Sequence, residues 1–262
     1  TTVDISKQNV SGDELPGAQL VLTGPNGADL TDCTLTRGNT EVDNNRTATD
    51  GTNVIRFTSG DVATRISGLP DGDYTLVETL APVIDGVHYV ETTITFNITN
   101  GVVTTTSENA RVETDEDIPV VVMVDAVDYV DCSLTLNKDV VANGATVPTT
   151  YTFNVKSGDV YYGLNAQGNV ITSADPIAIS VTPGTAVVLN NIPNGTYQVT
   201  EVRDGIAVDG YEVAVTGERS VTLSSTTRTG SVTITNTYTE IETGTTVDIS
   251  KQNVSGDELP GA

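Results

Sequence analysis

The chain has 262 residues, a formal charge of −23, few aromatic residues, no Trp and two Cys. Such an acidic balance excludes nucleic acid and anionic membrane surfaces as partners, because both need basic patches. No apolar run approaches the length of a membrane span, and no signal peptide opens the sequence, which reads as a mature segment cut from something larger.

Helical patterning is almost absent. Runs rich in Val and Thr are separated by Gly, Asn and Asp, so the fold class is all-β. In chain order, the first strand places Val3, Ile5 and Lys7 on one face. A middle strand does the same with Tyr74, Leu76 and Glu78, and a closing strand with Val121, Met123 and Asp125. The same series returns with Leu134, Leu136 and Lys138, then Tyr197, Val199 and Glu201, then Val232, Ile234 and Asn236. Each time an ionisable or amide group ends an apolar alternation on the buried face.

Two repeats underlie this series. "TTVDISKQNVSGDELPGA" at 1–18 returns letter for letter at 245–262, a period of 244 residues, as in a tandem array. Within that period the echo is weaker. "VDISKQNV" (3–10) resembles "LTLNKDVV" (134–141), "GLPDGDYTLVETLAP" (68–82) resembles "NIPNGTYQVTEVRDG" (191–205), and "VVMVDA" (121–126) resembles "VTITNT" (232–237). The expected organisation is two domains, 1–130 and 131–244, with 245–262 as the first strand of a further repeat. The chain has four lysines, and Lys7, Lys138 and Lys251 occupy one position in successive first strands; a lysine used for solubility would be scattered.

Burial makes a lysine give up its proton more readily and a glutamic acid keep its own. A neutral amine held against a carboxyl or carboxamide carbon, with a protonated Glu at the carbonyl oxygen, can attack and expel water or ammonia. The product is an amide bond between side chains, here Lys7 to Asp125.

At these residues the sequence resembles the collagen-adhesin B-type (CnaB) domains of Gram-positive surface proteins and pilins, which form intramolecular isopeptide bonds. The first half is particularly similar to the domain that was split into the SpyCatcher and SpyTag pair: "ISKQNVSGDELPGAQLVL" looks like its opening strand, "GDYTLVETLAP" its glutamate strand and "VVMVDA" its tag strand. "NKDVV", "GTYQVTEV" and "VTITNTY" look like the asparagine-using pilin version. The resemblance implies tandem Ig-like β-sandwiches. Lys7 and Lys138 would be nucleophiles, Glu78 and Glu201 proton shuttles, and Asp125 and Asn236 electrophiles, with Lys251 the cross-linking lysine of the next repeat. It does not extend to 29–55, which is longer than the family leads one to expect, and it is looser throughout the second half.

Other features carry less. Asp128 and Asp131 are rivals to Asp125 on a stretch that looks like a linker, and Lys156 lies on the face opposite Tyr151, Phe153 and Val155, expected to be solvated. Cys33 and Cys132 suggest a disulfide in an exported chain, with two free thiols the open alternative. A single histidine, His88, argues against zinc. The acidic stretches "ETDEDIP" (113–119) and "DNNRTATDG" (43–51) lack EF-hand spacing, and "ELPGA" is not a sortase signal. No phosphate loop, metal signature or nucleophile–base pair around a histidine is present, so no cofactor and no turnover enzyme is expected.

The leading functional expectation is a structural stalk segment of a bacterial surface protein, with adjacent repeats as partners and the anchor in regions outside this segment. The alternative is an adhesin module whose 29–55 insertion binds a host matrix protein or glycan.

Overall fold

The computed structural model describes residues 1–242, 244, 247–258 and 260. Every regular element among them is a β-strand, and the chain is built of Ig-like β-sandwiches. It divides into two compact units: Thr1–Leu134 with Leu189–Thr196 and Thr222–Gly230, and Thr135–Val188 with Tyr197–Val221 and the segment from Ser231 onward.

The first unit packs two sheets. One runs in the order Ala110–Asp115, Ile118–Asp125, Thr2–Asn9, Thr64–Ser67, Thr34–Arg37 and Thr40–Glu41. The other runs Val102–Thr104, Thr93–Thr99, Gly72–Leu80, Gln19–Thr23 and Val54–Thr58. Alternation decides what lies between them. Val3, Ile5, Ile66, Val121 and Met123 point inward from the first sheet; Leu20, Leu22, Phe57, Tyr74, Leu76 and Phe96 point inward from the second. The opening strand Thr2–Asn9 and the closing strand Ile118–Asp125 are neighbours and run parallel, with Lys7 opposite Met123 and Asn9 opposite Asp125. The glutamate strand Gly72–Leu80 faces them from the second sheet. Its start depends on Gly72, at φ 141°, where a Cβ would lie 2.3 Å from Pro25 Cγ.

Three regions need description beyond the sequence reading. The 127–131 stretch is no linker. It begins a continuous strand, Val127–Val141, paired with the hairpin Val83–Tyr89 through Val127–Tyr89, Tyr129–His88 and Val130–Val87. His88 stacks on Tyr129 at 4.0 Å and meets Asp131 at 3.1 Å, which gives this stretch side-chain partners as well as a ladder. Cys33 and Cys132 are both free thiols. Cys33 packs against the first core, whereas Cys132 Sγ turns to the Ser224 carbonyl oxygen at 3.9 Å, so the two point to different surroundings. Burial pushes both thiols up, which disfavours the reactive thiolate. Finally, the 29–55 insertion contributes to the core and to a sheet. Leu30 and Leu35 are fully buried, and its hairpin extends the edge of the first sheet. In its outer part Asp50 takes two hydrogen bonds from Arg56 and two from Thr47, and the Arg56 guanidinium holds its carboxyl well below the usual range. "ETDEDIP" forms a tight hairpin with Glu116 and Asp117 in the left-handed region, at φ 47° and 66°.

The strand Val127–Val141, which belongs to the second unit from Thr135 onward, neighbours Thr229–Glu240, which pairs in turn with Tyr211–Thr216. The facing sheet is centred on Tyr151–Ser157, which pairs with Val160–Leu164, Ile179–Val181 and Gly195–Glu201. Tyr151, Phe153, Val155, Tyr197 and Val199 point into the core. Lys156 lies on the other face, half-buried, 5.2 Å above Tyr161 and 3.9 Å from Asp159.

The burial of the insertion makes a prediction. Leu35→Ala should destabilise the first unit by about 2–5 kcal/mol, the range for a leucine removed from a packed core. Chemical denaturation measures this; a change within about 0.5 kcal/mol, as expected for a surface site, would show that the hairpin is not part of the core.

Candidate functional site

Each unit buries one lysine at the end of its opening strand. Lys7 and Lys138 are each 1% exposed, although lysine is almost never fully buried without a partner. Charge in such a place costs several kcal/mol unless compensated, so what surrounds each ammonium matters more than its sequence neighbours.

In the first unit the lysine meets two acids. Lys7 Nζ contacts Asp125 Oδ1 on the adjacent parallel strand and lies 3.3 Å from Glu78 Oε2 on the opposite sheet. Asp125 is 0% and Glu78 3% exposed. The parallel register sets this geometry. Lys7 sits across from Met123, and its long side chain spans the diagonal to Asp125, two residues further on. Burial pushes Glu78 up to about 7; Lys7 opposes the rise and Asp125 adds to it. Glu78 is also clamped by Thr92, whose N–H donates to Glu78 Oε2 at 3.1 Å while its carbonyl accepts from the Glu78 N–H at 2.9 Å. Asp125 Oδ2 and Glu78 Oε1 have no hydrogen-bond partner.

The second unit repeats the arrangement with an amide. Lys138 Nζ lies 2.9 Å from Glu201 Oε2, donates to the Ile234 carbonyl oxygen at 3.3 Å, and sits 4.5 Å above the centre of the Tyr151 ring. Asn236, 0% exposed, donates through Nδ2 to Glu201 Oε1 at 2.6 Å, and its Oδ1 has no partner. Burial lowers the Lys138 ammonium from its ordinary value, while the hydrogen bond to Glu201 opposes that shift. The Glu201 backbone is held from outside: its N–H donates to Glu218 Oε1 at 2.7 Å, and its carbonyl accepts from Arg203 Nη1 at 2.9 Å.

All six residues expected at the two sites are thus brought together, three to a unit. Of the rivals to Asp125, Asp128 is exposed and Asp131 is engaged with His88. Lys251 is exposed. Sequence reasoning missed Thr92 and Glu218. Both act on a backbone amide or through one, so neither breaks the alternation that drew attention to the others. Chemically, each arrangement holds an amine, a carbonyl carbon and an acid in contact and away from water. Among the described residues, no group of acidic, His or Cys side chains could hold a metal ion.

Residues 1–111 match the family model described as SpaA, a prealbumin-like fold domain, and residues 134–239 match a domain of unknown function (DUF5979). Each match covers less than half of the chain. The first includes Lys7 and Glu78 and ends before Asp125; the second includes Lys138, Glu201 and Asn236. No curated protein matches the chain. Among solved structures it is similar to the minor pilin of Streptococcus agalactiae (15% identity, 95% of this chain and 99% of that one, TM-score 0.35). It is also similar to a major pilin of Streptococcus pyogenes (15%, 90% and 97%, TM-score 0.35). A third is the shaft pilin of Lactobacillus rhamnosus GG (14%, 92% and 99%, TM-score 0.34). At TM-scores of this size the likenesses decide neither fold nor function.

Two predictions follow from the charges. An acid whose pKa is higher folded than unfolded binds more protons in the folded state between the two values, so stability falls as pH rises through that window. With Lys7 present Glu78 is raised to about 7, and removing the lysine takes away the group that opposes the rise, so in Lys7→Met denaturant midpoints for the first unit should fall as pH rises from 4.5 through about 7 and beyond. A flat or rising profile would mean that Glu78 ionises there without cost. In the second unit, Lys138→Met leaves Glu201 buried without its counter-charge, a loss of about 3–5 kcal/mol, and adding Glu201→Gln should recover much of it. Equal stability of the single and double variants would show that the two charges are not coupled.

Proposed function

We propose that the chain is a structural stalk segment of a repetitive bacterial surface protein, made of two tandem CnaB-type domains, 1–130 and 131–244, each locked by a self-formed amide bond. Residues 245–262 begin the next repeat. The observation that carries this reading is one constellation built twice: a buried lysine on the opening strand, an Asp or Asn on the closing strand, and a glutamate facing both. The prealbumin-like match over 1–111 supports a pilin-like first domain.

In the first domain the Lys7 amine attacks Asp125 Cγ. Glu78, raised toward neutrality, gives a proton to the carboxyl oxygen and takes one back from the nitrogen, and water leaves. In the second domain Lys138 attacks Asn236 Cγ. Glu201 takes a proton from the Lys138 ammonium and relays one to the departing nitrogen, which already faces it, so the Cγ–Nδ2 bond breaks and ammonia leaves. Each bond forms once and consumes its own residues, so the chain cross-links itself and turns over no substrate.

Such domains resist extraction and proteolysis, as suits the outside of a cell, with anchoring left to regions beyond this segment. Adjacent repeats are the partners this reading requires. Grip on a host matrix protein or glycan through 29–55 has less support, because Leu30 and Leu35 turn that insertion into the core.

Intact mass under denaturing conditions tests the proposal. The Asp125 bond removes about 18 Da and the Asn236 bond about 17 Da, so the chain should weigh about 35 Da less than its sequence sum. Glu78→Gln should keep the fold, regain only the first deficit, and lower the stability of the first domain by about 4–5 kcal/mol, by analogy with a disulfide closing a loop of about 100 residues. A mass equal to the sequence sum would sink the reading, and an intact first deficit in Glu78→Gln would take the shuttle role from that residue.

A further inference from the structure

The glutamates of the two sites are held in their sheets by opposite means. Each faces a residue that comes just before a neighbouring strand: Thr92 before Thr93–Thr99 for Glu78, and Glu218 before Arg219–Leu223 for Glu201. In the first unit Thr92 answers with its backbone. The Glu78 N–H donates to the Thr92 carbonyl at 2.9 Å, and the Thr92 N–H donates to Glu78 Oε2 at 3.1 Å. That same oxygen lies 3.3 Å from Lys7 Nζ, so it is shared between the amine and a backbone amide.

In the second unit a side chain answers. Phe153 stands opposite Glu201, and the Val202 N–H donates to the Thr152 carbonyl at 2.8 Å. The ladder to Tyr151–Ser157 therefore passes over Glu201, whose own N–H and C=O point to the other side. There the Glu201 N–H donates to Glu218 Oε1 at 2.7 Å, Arg203 Nη2 donates to Glu218 Oε2 at 2.8 Å, and Arg203 Nη1 donates to the Glu201 carbonyl oxygen at 2.9 Å. Three hydrogen bonds close a ring that starts and ends on the peptide groups of one residue. With its N–H and C=O both fixed, Glu201 has only its side-chain rotamers left to set. The reacting groups set those: Oε1 accepts from Asn236 Nδ2 at 2.6 Å, and Oε2 lies 2.9 Å from Lys138 Nζ. Burial raises the Glu218 carboxyl, but the hydrogen bonds from Arg203 and from the Glu201 N–H outweigh it and hold it below its ordinary value. At neutral pH the pair is thus ionised and adds no net charge beside Glu201.

We propose that Arg203 and Glu218 are positioning residues for the second bond: the ring they form with the Glu201 peptide groups aims the Glu201 carboxyl at Lys138 and Asn236. This rests on the self-linking chemistry above and assigns a role to two residues outside its triad. Neither residue exchanges a proton or a bond in the reaction; both act through Glu201. Glu218 has to offer an acceptor oxygen to the Glu201 N–H, and Arg203 has to span from Glu218 to the Glu201 carbonyl. Glutamine at 218 keeps that acceptor, alanine removes it, and methionine at 203 opens the other arm of the ring.

Cell-free synthesis of the full-length chain, quenched in acidic denaturant at intervals, follows both bonds in one molecule. After proteolysis each appears as a linked peptide pair, about 18 Da lighter than its two peptides for Lys7–Asp125 and about 17 Da lighter for Lys138–Asn236. The Arg203 and Glu218 side chains are 50% and 29% exposed, so substitutions there should leave the unit folded, and brief native proteolysis of parallel samples reads the folded fraction. Glu218→Ala and Arg203→Met should each slow the second bond by roughly 10–100-fold at an unchanged folded fraction, with the first bond at its wild-type rate. Glu218→Gln should return the second bond to near the wild-type rate. An unslowed second bond in Glu218→Ala or Arg203→Met overturns the proposal, as does a Glu218→Gln chain as slow as Glu218→Ala, or a slowing that only tracks lost folded protein. In each of these cases a linked Lys138–Asn236 pair in wild type leaves the self-linking chemistry standing. If wild type never forms that pair, self-linking of the second unit falls, and the proposal with it.

Discussion

Two ammonium groups sealed in apolar cores set the terms for the rest of the molecule. A lysine 1% exposed cannot stand alone, so each core must bring compensating groups from elsewhere in the chain to the same point. That demand constrains topology more than any hydrophobic contact does. The opening strand has to lie beside the closing strand, and a glutamate has to face both from the other sheet. The 29–55 insertion elaborates the edge of the first sheet, at the far side from the closing strand.

The two sites solve the same problem with different charge balances. Burial above all drives Glu78 toward its protonated form, and Asp125 adds to it, since Lys7, Glu78 and Asp125 all ionised would leave one buried negative charge in excess. Lys138 and Glu201 already cancel, and the neutral Asn236 completes the hydrogen bonding. At the aspartate site, burial first and the second carboxylate after it favour a protonated Glu78. At the asparagine site the amide nitrogen already faces the acid.

Much of this was legible in the sequence, because a buried charge at the end of an apolar alternation violates the pattern that makes strands recognisable. Lys7, Glu78 and Asp125 each break period-two patterning at one place. What stayed hidden did not break it. Asp4 and Ser6 look like the solvent face of the opening strand, yet both are buried, because Arg65 and Glu14 cover them from other segments. Thr92 acts on Glu78 through its backbone, which every residue possesses. The 127–131 stretch resembled a linker because its pairing partner, the hairpin Val83–Tyr89, is distant in sequence and short. The fate of the two cysteines depended on where their side chains point, and spacing carries no information about that.

The parallel pairing of the opening and closing strands has a mechanical consequence. In a parallel pair, the beginning of one strand and the end of the other lie at opposite ends of the ladder. Tension applied along a chain of such domains enters at Thr2 and leaves at Asp125, so it pulls the two strands lengthwise past each other. All the ladder hydrogen bonds from Asp4–Val120 to Asn9–Asp125 share that load at once, where an antiparallel hairpin would open bond by bond. The Lys7–Asp125 contact lies within this ladder. A covalent bond there would carry the pull directly from one strand to the other, and the intervening polypeptide, insertion included, would bear none of it.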